Sequence, residues 1–308
     1  MFAITYRKYL YAFSIALMVA SVALLATVGL KPSIDFTGGS LLEVTYTTSR
    51  PEQAAIESAI RDAGITTAVV RQSGDASVLI KTAPITNETK EQVLGTLSAA
   101  AGQEVREDRF TTVGPTLGRE LYVKSGVALL LVLIAIVLYV AYVFRKVSKP
   151  VSSWLYGHAT IIALAHDIVV TLGVFSLLGL LIGTEIDTLF VTALLVVLGY
   201  SVNDSIVVLD RVRENLAQQE EQERGRQFAQ TVGRSIKETL GRSFNTSFTT
   251  LLALLALAVF GADATRSFAI ALLVGIGFGT YSSIAVASAL LVSFFEGQKK
   301  RPHKKRAA

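Results

Sequence analysis

The sequence contains no cysteine, which excludes disulfides, thiolate nucleophiles and cysteine-ligated zinc or iron–sulfur centres. It has three histidines and no His-Glu-x-x-His pattern, so little is left for a metal site. No Gly-x-x-x-x-Gly-Lys-Ser/Thr run is present, and with it goes the P-loop that would hold a nucleotide. Neither a metal nor a cofactor is expected, and any work the chain does draws on something other than ATP bound to it. What the chain has instead is apolar length: 51% of its 308 residues are hydrophobic and the mean hydropathy is +0.51. Soluble domains are usually less apolar.

Runs of about 20 apolar residues read as membrane-crossing helices. Six fit: Tyr11 to Leu30, Gly126 to Phe144, Trp154 to Ile182, Ile186 to Leu209, Ser243 to Phe260 and Phe268 to Phe295. No small-x-small cleavage pattern precedes Lys31, so the first run is expected to stay as an anchor. Lys and Arg set the topology. Arg7, Lys8, Arg145, Lys146, Lys149, the charged segment 210–241 and the tail with Lys299, Lys300, Arg301, Lys304, Lys305 and Arg306 fall on one side. Both termini are then cytoplasmic and residues 31–125 external.

The external stretch alternates like a folded α+β domain. Strands are expected over Ser40–Thr48, Thr66–Gln72, Ser77–Thr82 and Glu104–Val113, with helices over Pro51–Ala63 and Asn87–Ala101, the latter capped by Asn87. A β-α-β-β-α-β order is the ferredoxin-like pattern. The sequence thus predicts an α-helical polytopic membrane protein with six transmembrane helices and a small ferredoxin-like external domain. Its parts are residues 1–30 (cytoplasmic N-terminus and first helix), 31–125 (external domain), 126–295 (five-helix bundle) and 296–308 (basic tail). Within the bundle, 210–241 reads as a cytoplasmic amphipathic segment, either along the membrane surface or as a solvated connecting helix. The tail is expected to face anionic lipid, and no nucleic acid is expected as a partner.

Ionisable groups inside such spans are costly and are functional hypotheses by default. Asp204 is the foremost, in Gly199-Tyr200-Ser201-Val202-Asn203-Asp204-Ser205; Asp167, beside His166, is the second. Asp204 could take up a proton from one side and release it to the other. Ionised, it could pair with Arg242 of the next span, although Arg242 at a helix end could equally anchor by snorkelling. The candidate proton-path residues are Asp204, Arg242, Asp167, Asn203 and Ser201. Gly275 and Gly279 read as small residues that let helices approach.

At this point the motifs resemble one family, SecF, the membrane subunit of the bacterial SecD–SecF protein-export complex. Asp35-Phe36-Thr37-Gly38-Gly39-Ser40 is similar to the family signature after the first span, and Val113-Gly114-Pro115, with Gly118, Glu120 and Leu121, to the one before the second. His166-Asp167 with Gly173 and Phe175, the run Gly199 to Asn215, Arg242 with Thr246-Ser247 and Thr249-Thr250, and Gly275-Ile276 with Gly279 to Ser283 fit the remaining spans. Ser33, Val202, Ser205 and Leu209 depart from the usual residues, none at an ionisable position.

The resemblance implies half of a resistance–nodulation–division type unit in the bacterial inner membrane. Its other half would be SecD, working beside the SecYEG translocon on exported unfolded polypeptides and driven by the proton gradient. It also implies a proton-path carboxylate at Asp204 and a cooperating arginine at Arg242. Such a chain is a translocation subunit, not an enzyme. Two other classes share much of the pattern: half of a small-molecule or lipid exporter, and a non-conducting scaffold. A full exporter would usually carry two six-span halves in one chain.

Overall fold

The structure, a computed structural model, describes residues 2–143, 152–219 and 227–300. The basic loop with Arg145, Lys146 and Lys149, the middle of segment 210–241 and the tail from Arg301 lie outside the described residues. The chain divides into two compact units, Pro32–Gly126 and the remainder.

In the smaller unit, a four-stranded sheet is built from β1 (Gly39–Tyr46), β2 (Ala68–Ser73), β3 (Ser77–Thr82) and β4 (Val105–Val113). Its strand order is β2-β3-β1-β4 and every neighbouring pair is antiparallel. Alternation explains the register. Leu42, Val44 and Tyr46 face one side of β1, and Leu42 and Val44 stand opposite Ile80 and Val78 of β3. That face is covered by two helices, Gln53–Asp62 and Asn87–Ala101, whose Ile56, Ile60, Val93 and Leu97 complete the core. The elements follow the predicted order, with shifted ends. The second of these helices is capped by Thr86, not Asn87: Thr86 has extended backbone and its hydroxyl accepts from the Thr89 N–H at 3.3 Å. The first starts at Gln53 rather than Pro51.

A short helix, Ile34–Thr37, precedes β1 and has no counterpart among the elements expected from sequence. Ser33 caps it, accepting from the Asp35 N–H at 3.2 Å, and Asp35 is half-buried in its first turn. The two signature segments then meet. Gly38 has φ 74° and ψ 160°, a backbone region that is essentially glycine-only. A Cβ there would lie 2.8 Å from the Pro115 Cα, beside Gly114. Gly39, at φ 141°, would place a Cβ 2.8 Å from the Thr82 carbonyl oxygen. Gly38→Ala is therefore expected to destabilise the chain by about 1–3 kcal/mol. Gly95 is exposed in the helix Asn87–Ala101, and a Cβ added to it would meet nothing within 4 Å. It should instead gain about 1 kcal/mol as alanine. Denaturation midpoints of the full chain that moved in the same direction for both substitutions would refute this backbone argument.

In the larger unit, α1 (Arg7–Thr27), α2 (Pro115–Val143, which enters this unit at Val127), α3 (Ser153–Leu181), α4 (Thr188–Ala217), α5 (Phe228–Phe260) and α6 (Asp263–Ser282) are followed by a π-turn (Ser283–Ala287) and α7 (Ser288–Lys300). Among the described residues, six helical stretches are long and apolar enough to cross a membrane, α6, the π-turn and α7 together forming the last. Close approach sets the packing of α1 on α3: a Cβ on Gly173 would fall 2.3 Å from the Ser21 Cβ. Ser176 Oγ lies 3.1 and 2.7 Å from the Leu24 and Gly29 carbonyl oxygens, and its one hydrogen ties α3 to the end of α1.

Segment 210–241 differs from its expected form. Its described residues belong mainly to the ends of α4 and α5 and not to one helix apart from them. Val212, Leu216, Phe228, Val232 and Ile236 are buried in a cluster with Tyr156 and Phe295, so the apolar stripe covers protein rather than lipid. Glu296, at the start of the predicted tail, is still in α7 and takes two hydrogen bonds from Arg7, at 2.9 and 2.6 Å.

Candidate functional site

The buried acids sit where α3, α4 and the α6–π junction meet. On α4, Val197, Ser201, Asp204, Ser205 and Val208 recur at three- and four-residue spacing, so they share the buried face. Asn203 is about 200° round the helix from Ser201 and is exposed. The structure therefore leaves Asn203 outside the cluster to which the sequence assigned it.

Asp167 on α3 is fully buried and has three partners. Ser201 Oγ donates to its Oδ2 at 2.5 Å, Ser282 Oγ donates to the same oxygen at 2.7 Å, and His166 Nδ1 lies 3.0 Å from Oδ1. Asp204, 6% exposed, accepts from the Ser283 hydroxyl. The His166 Nε2 is buried without a hydrogen-bond partner among the described residues. The two carboxyls are thus met mainly by hydroxyls, groups that can donate to an ionised acid and accept from a protonated one.

Glycines make this approach possible. A Cβ on Gly275 would lie 2.2 Å from Val197 Cγ2, and one on Gly279 would lie 3.2 Å from the Ser201 Cβ and 3.6 Å from Asp167 Oδ2. The packing role read for this pair from spacing agrees with that geometry.

Arg242 does not join the site. It is exposed on α5, and among the described residues no ion pair links it to Asp204 within 4.0 Å. The cause is helical phase. Ser243, Ser247 and Leu254 form the buried stripe of α5, while Arg242, Asn245, Thr246 and Thr249 share an exposed face. The hydroxyls of Thr160, Thr171 and Thr249 bond carbonyls of their own helices, the plainer of the roles open to them.

Ser282 and Ser283, the donors from the sixth span, lie in the segment Gly279 to Ser283 that fits the family pattern, and Ser283 continues the four-residue spacing of Gly275 and Gly279. Neither signal assigns them to an acid; the spacing points to packing as readily.

Comparisons with known proteins agree with one another. Residues 93–297 match the family described as protein export membrane protein SecD/SecF, C-terminal, and residues 23–49 match the SecD/SecF GG motif. The chain is 37% identical to a protein translocase subunit SecF of Anaerolinea thermophila, over 95% of this chain and 94% of that one. It is 39% identical to the SecF subunit of Thermobaculum terrenum, over 94% and 93%. The crystal structure of SecDF, a translocon-associated membrane protein from Thermus thermophilus, superposes with a TM-score of 0.79 at 34% identity. That match covers 94% of this chain and 38% of the longer SecDF chain.

Proposed function

The chain belongs to the SecD/SecF family of protein-export membrane proteins, and we propose that it is the SecF-type half of a proton-driven export accessory. It is a multi-pass membrane protein with a role in Sec-dependent translocation. In this reading it pairs with a SecD half, stands beside the SecYEG channel and draws unfolded polypeptides outward late in export. Both termini are cytoplasmic, and the smaller unit, whose strand order supports a ferredoxin-like description, faces the exported chain.

One observation carries the reading: two carboxyls buried among membrane-crossing helices with serine hydroxyls as their donors. An acid retained at that depth is costly unless water, a proton or a counter-charge serves it. Asp204 and Asp167 are assigned as the proton-carrying groups, with Ser201 bridging α4 to Asp167. The exposed polar face of α5, with Arg242, Asn245, Thr246 and Thr249, is unsuited to lipid and fits a surface that the SecD half covers. There Arg242 would act on the proton path from across the pair, and Asn203 from the outer face of α4.

The test is export into inverted membrane vesicles carrying the chain with its SecD half. Stimulation of late translocation should vanish when a protonophore collapses the gradient with ATP still supplied. Undiminished stimulation without a gradient would exclude proton drive.

A further inference from the structure

Ser282 and Ser283 stand where the sixth membrane crossing changes character: α6 ends at Ser282 and the π-turn begins at Ser283. Single π-turns inside helices are frequent at functional sites. Each serine has two acceptors in reach. Ser282 Oγ lies 2.7 Å from Asp167 Oδ2 and 3.1 Å from the Gly279 carbonyl oxygen. Ser283 Oγ reaches Asp204 Oδ2 and lies 3.0 Å from the Thr280 carbonyl oxygen.

A hydroxyl has one hydrogen to give. At any moment each serine donates either to an acid or to its own helix. An ionised carboxylate wins that hydrogen, because a charge-assisted bond is about twice as strong as a neutral one. Protonating the carboxyl removes the advantage, and the carbonyl three residues back competes. Back-bonding of this kind bends a helix. Here both serines would act on one turn, 279–283, the last before the π-turn. The far side of that turn is already held, since Ser288 Oγ donates to the Ser283 carbonyl at 3.0 Å. Ser282, Ser283, Ser288 and both acids are buried, so the released hydrogen bond falls first to the neighbouring carbonyl.

We infer that Ser282 and Ser283 are positioning residues that couple the two acids, so that a change of protonation at Asp167 is passed through their shared turn to Asp204. The coupling works equally in reverse, as linkage requires. It rests on the reading of both acids as proton carriers. The other groups facing Asp167 are His166 and Ser201; Asp204 has no ion pair among the described residues.

Solid-state NMR of the full chain in lipid bilayers, with aspartate side-chain carboxyls labelled with 13C, tests it without reading export. The Asp204 signal is assigned by its loss in Asp204→Asn. Asp167→Asn should move that signal, and the movement should be lost when Ser282→Ala or Ser283→Ala is added. An Asp204 signal indifferent to Asp167→Asn overturns the coupling, as does a movement that persists in full without either hydroxyl. The proton reading is judged separately, by whether the Asp204 signal of the unsubstituted chain changes with pH; a signal constant with pH would sink that reading while the comparison between variants still decides the coupling.

Discussion

Asp204→Asn is expected to abolish gradient-dependent export while leaving the chain folded and bound to its partner half. Asparagine keeps the size of the side chain and an oxygen that can accept from Ser283, so the packing around this buried position survives. What it loses is the ability to take up and release a proton. A unit charge carried through 100 mV is worth about 2.3 kcal/mol, roughly a fifty-fold bias on a conformational equilibrium. The gradient-dependent part of export should fall by a factor of that order, and the gradient-independent part should not. Asp204→Glu keeps the chemistry but moves the carboxyl by one methylene, so it should retain a measurable share. Co-purification of the partner half with the Asn variant shows that assembly is intact. Export that still responds fully to the gradient in that variant would remove Asp204 from the mechanism.

Much of this architecture is legible in the sequence because membrane spans and half-buried strands impose strong periodicities. The six apolar stretches and the alternation of Leu42, Val44 and Tyr46 are of that kind. Asp204 and Asp167 stand out because the cost of inserting an acid depends on depth alone and needs no knowledge of neighbours. The donors are a different matter. A serine in a helix can bond its own backbone, and nothing in the chain distinguishes Ser282, which also reaches Asp167, from Thr171, which bonds only the Asp167 carbonyl. Helix phase needs one fact from the structure: Ser243 and Ser247 form the inward stripe of α5, which places Arg242 on another face, away from the pairing that the sequence left open beside snorkelling. The cap of the helix Asn87–Ala101 is a choice between adjacent residues, Thr86 and Asn87, that only backbone geometry decides. The π-turn has no such sequence mark, because its i to i+5 bonding depends on what the neighbouring helices demand.

Gly275→Ala should be among the most damaging single-methyl additions in the membrane unit, and Val197→Ala should relieve it. The added Cβ would lie 2.2 Å from one Val197 methyl and 2.8 Å from the other, so something must move. Val197 is fully buried against Phe190, Leu194 and Ile276, and a β-branched side chain in a helix has essentially one χ1 rotamer. Overpacking of this sort costs about 1–3 kcal/mol, which corresponds to a thermal midpoint lower by roughly 2–5 °C for a chain of this size. Truncating Val197 removes both methyls and leaves only its Cβ, 3.1 Å away, a contact that small adjustments absorb. The function should follow the packing: the same glycine stripe places Gly279 against Ser201 and so brings Ser282 within reach of Asp167. Gradient-dependent export should therefore fall in Gly275→Ala and return in the double variant. Gly173→Ala supplies the contrast. Its Cβ would meet Ser21 at the side chain and also at the backbone Cα, 2.6 Å away. Ser21→Gly cannot remove a Cα, so that pair should show no rescue. Equal rescue at both sites would mean that the helices simply move apart to admit the methyl, and that contact between α6 and α4 does not set the geometry of the acids.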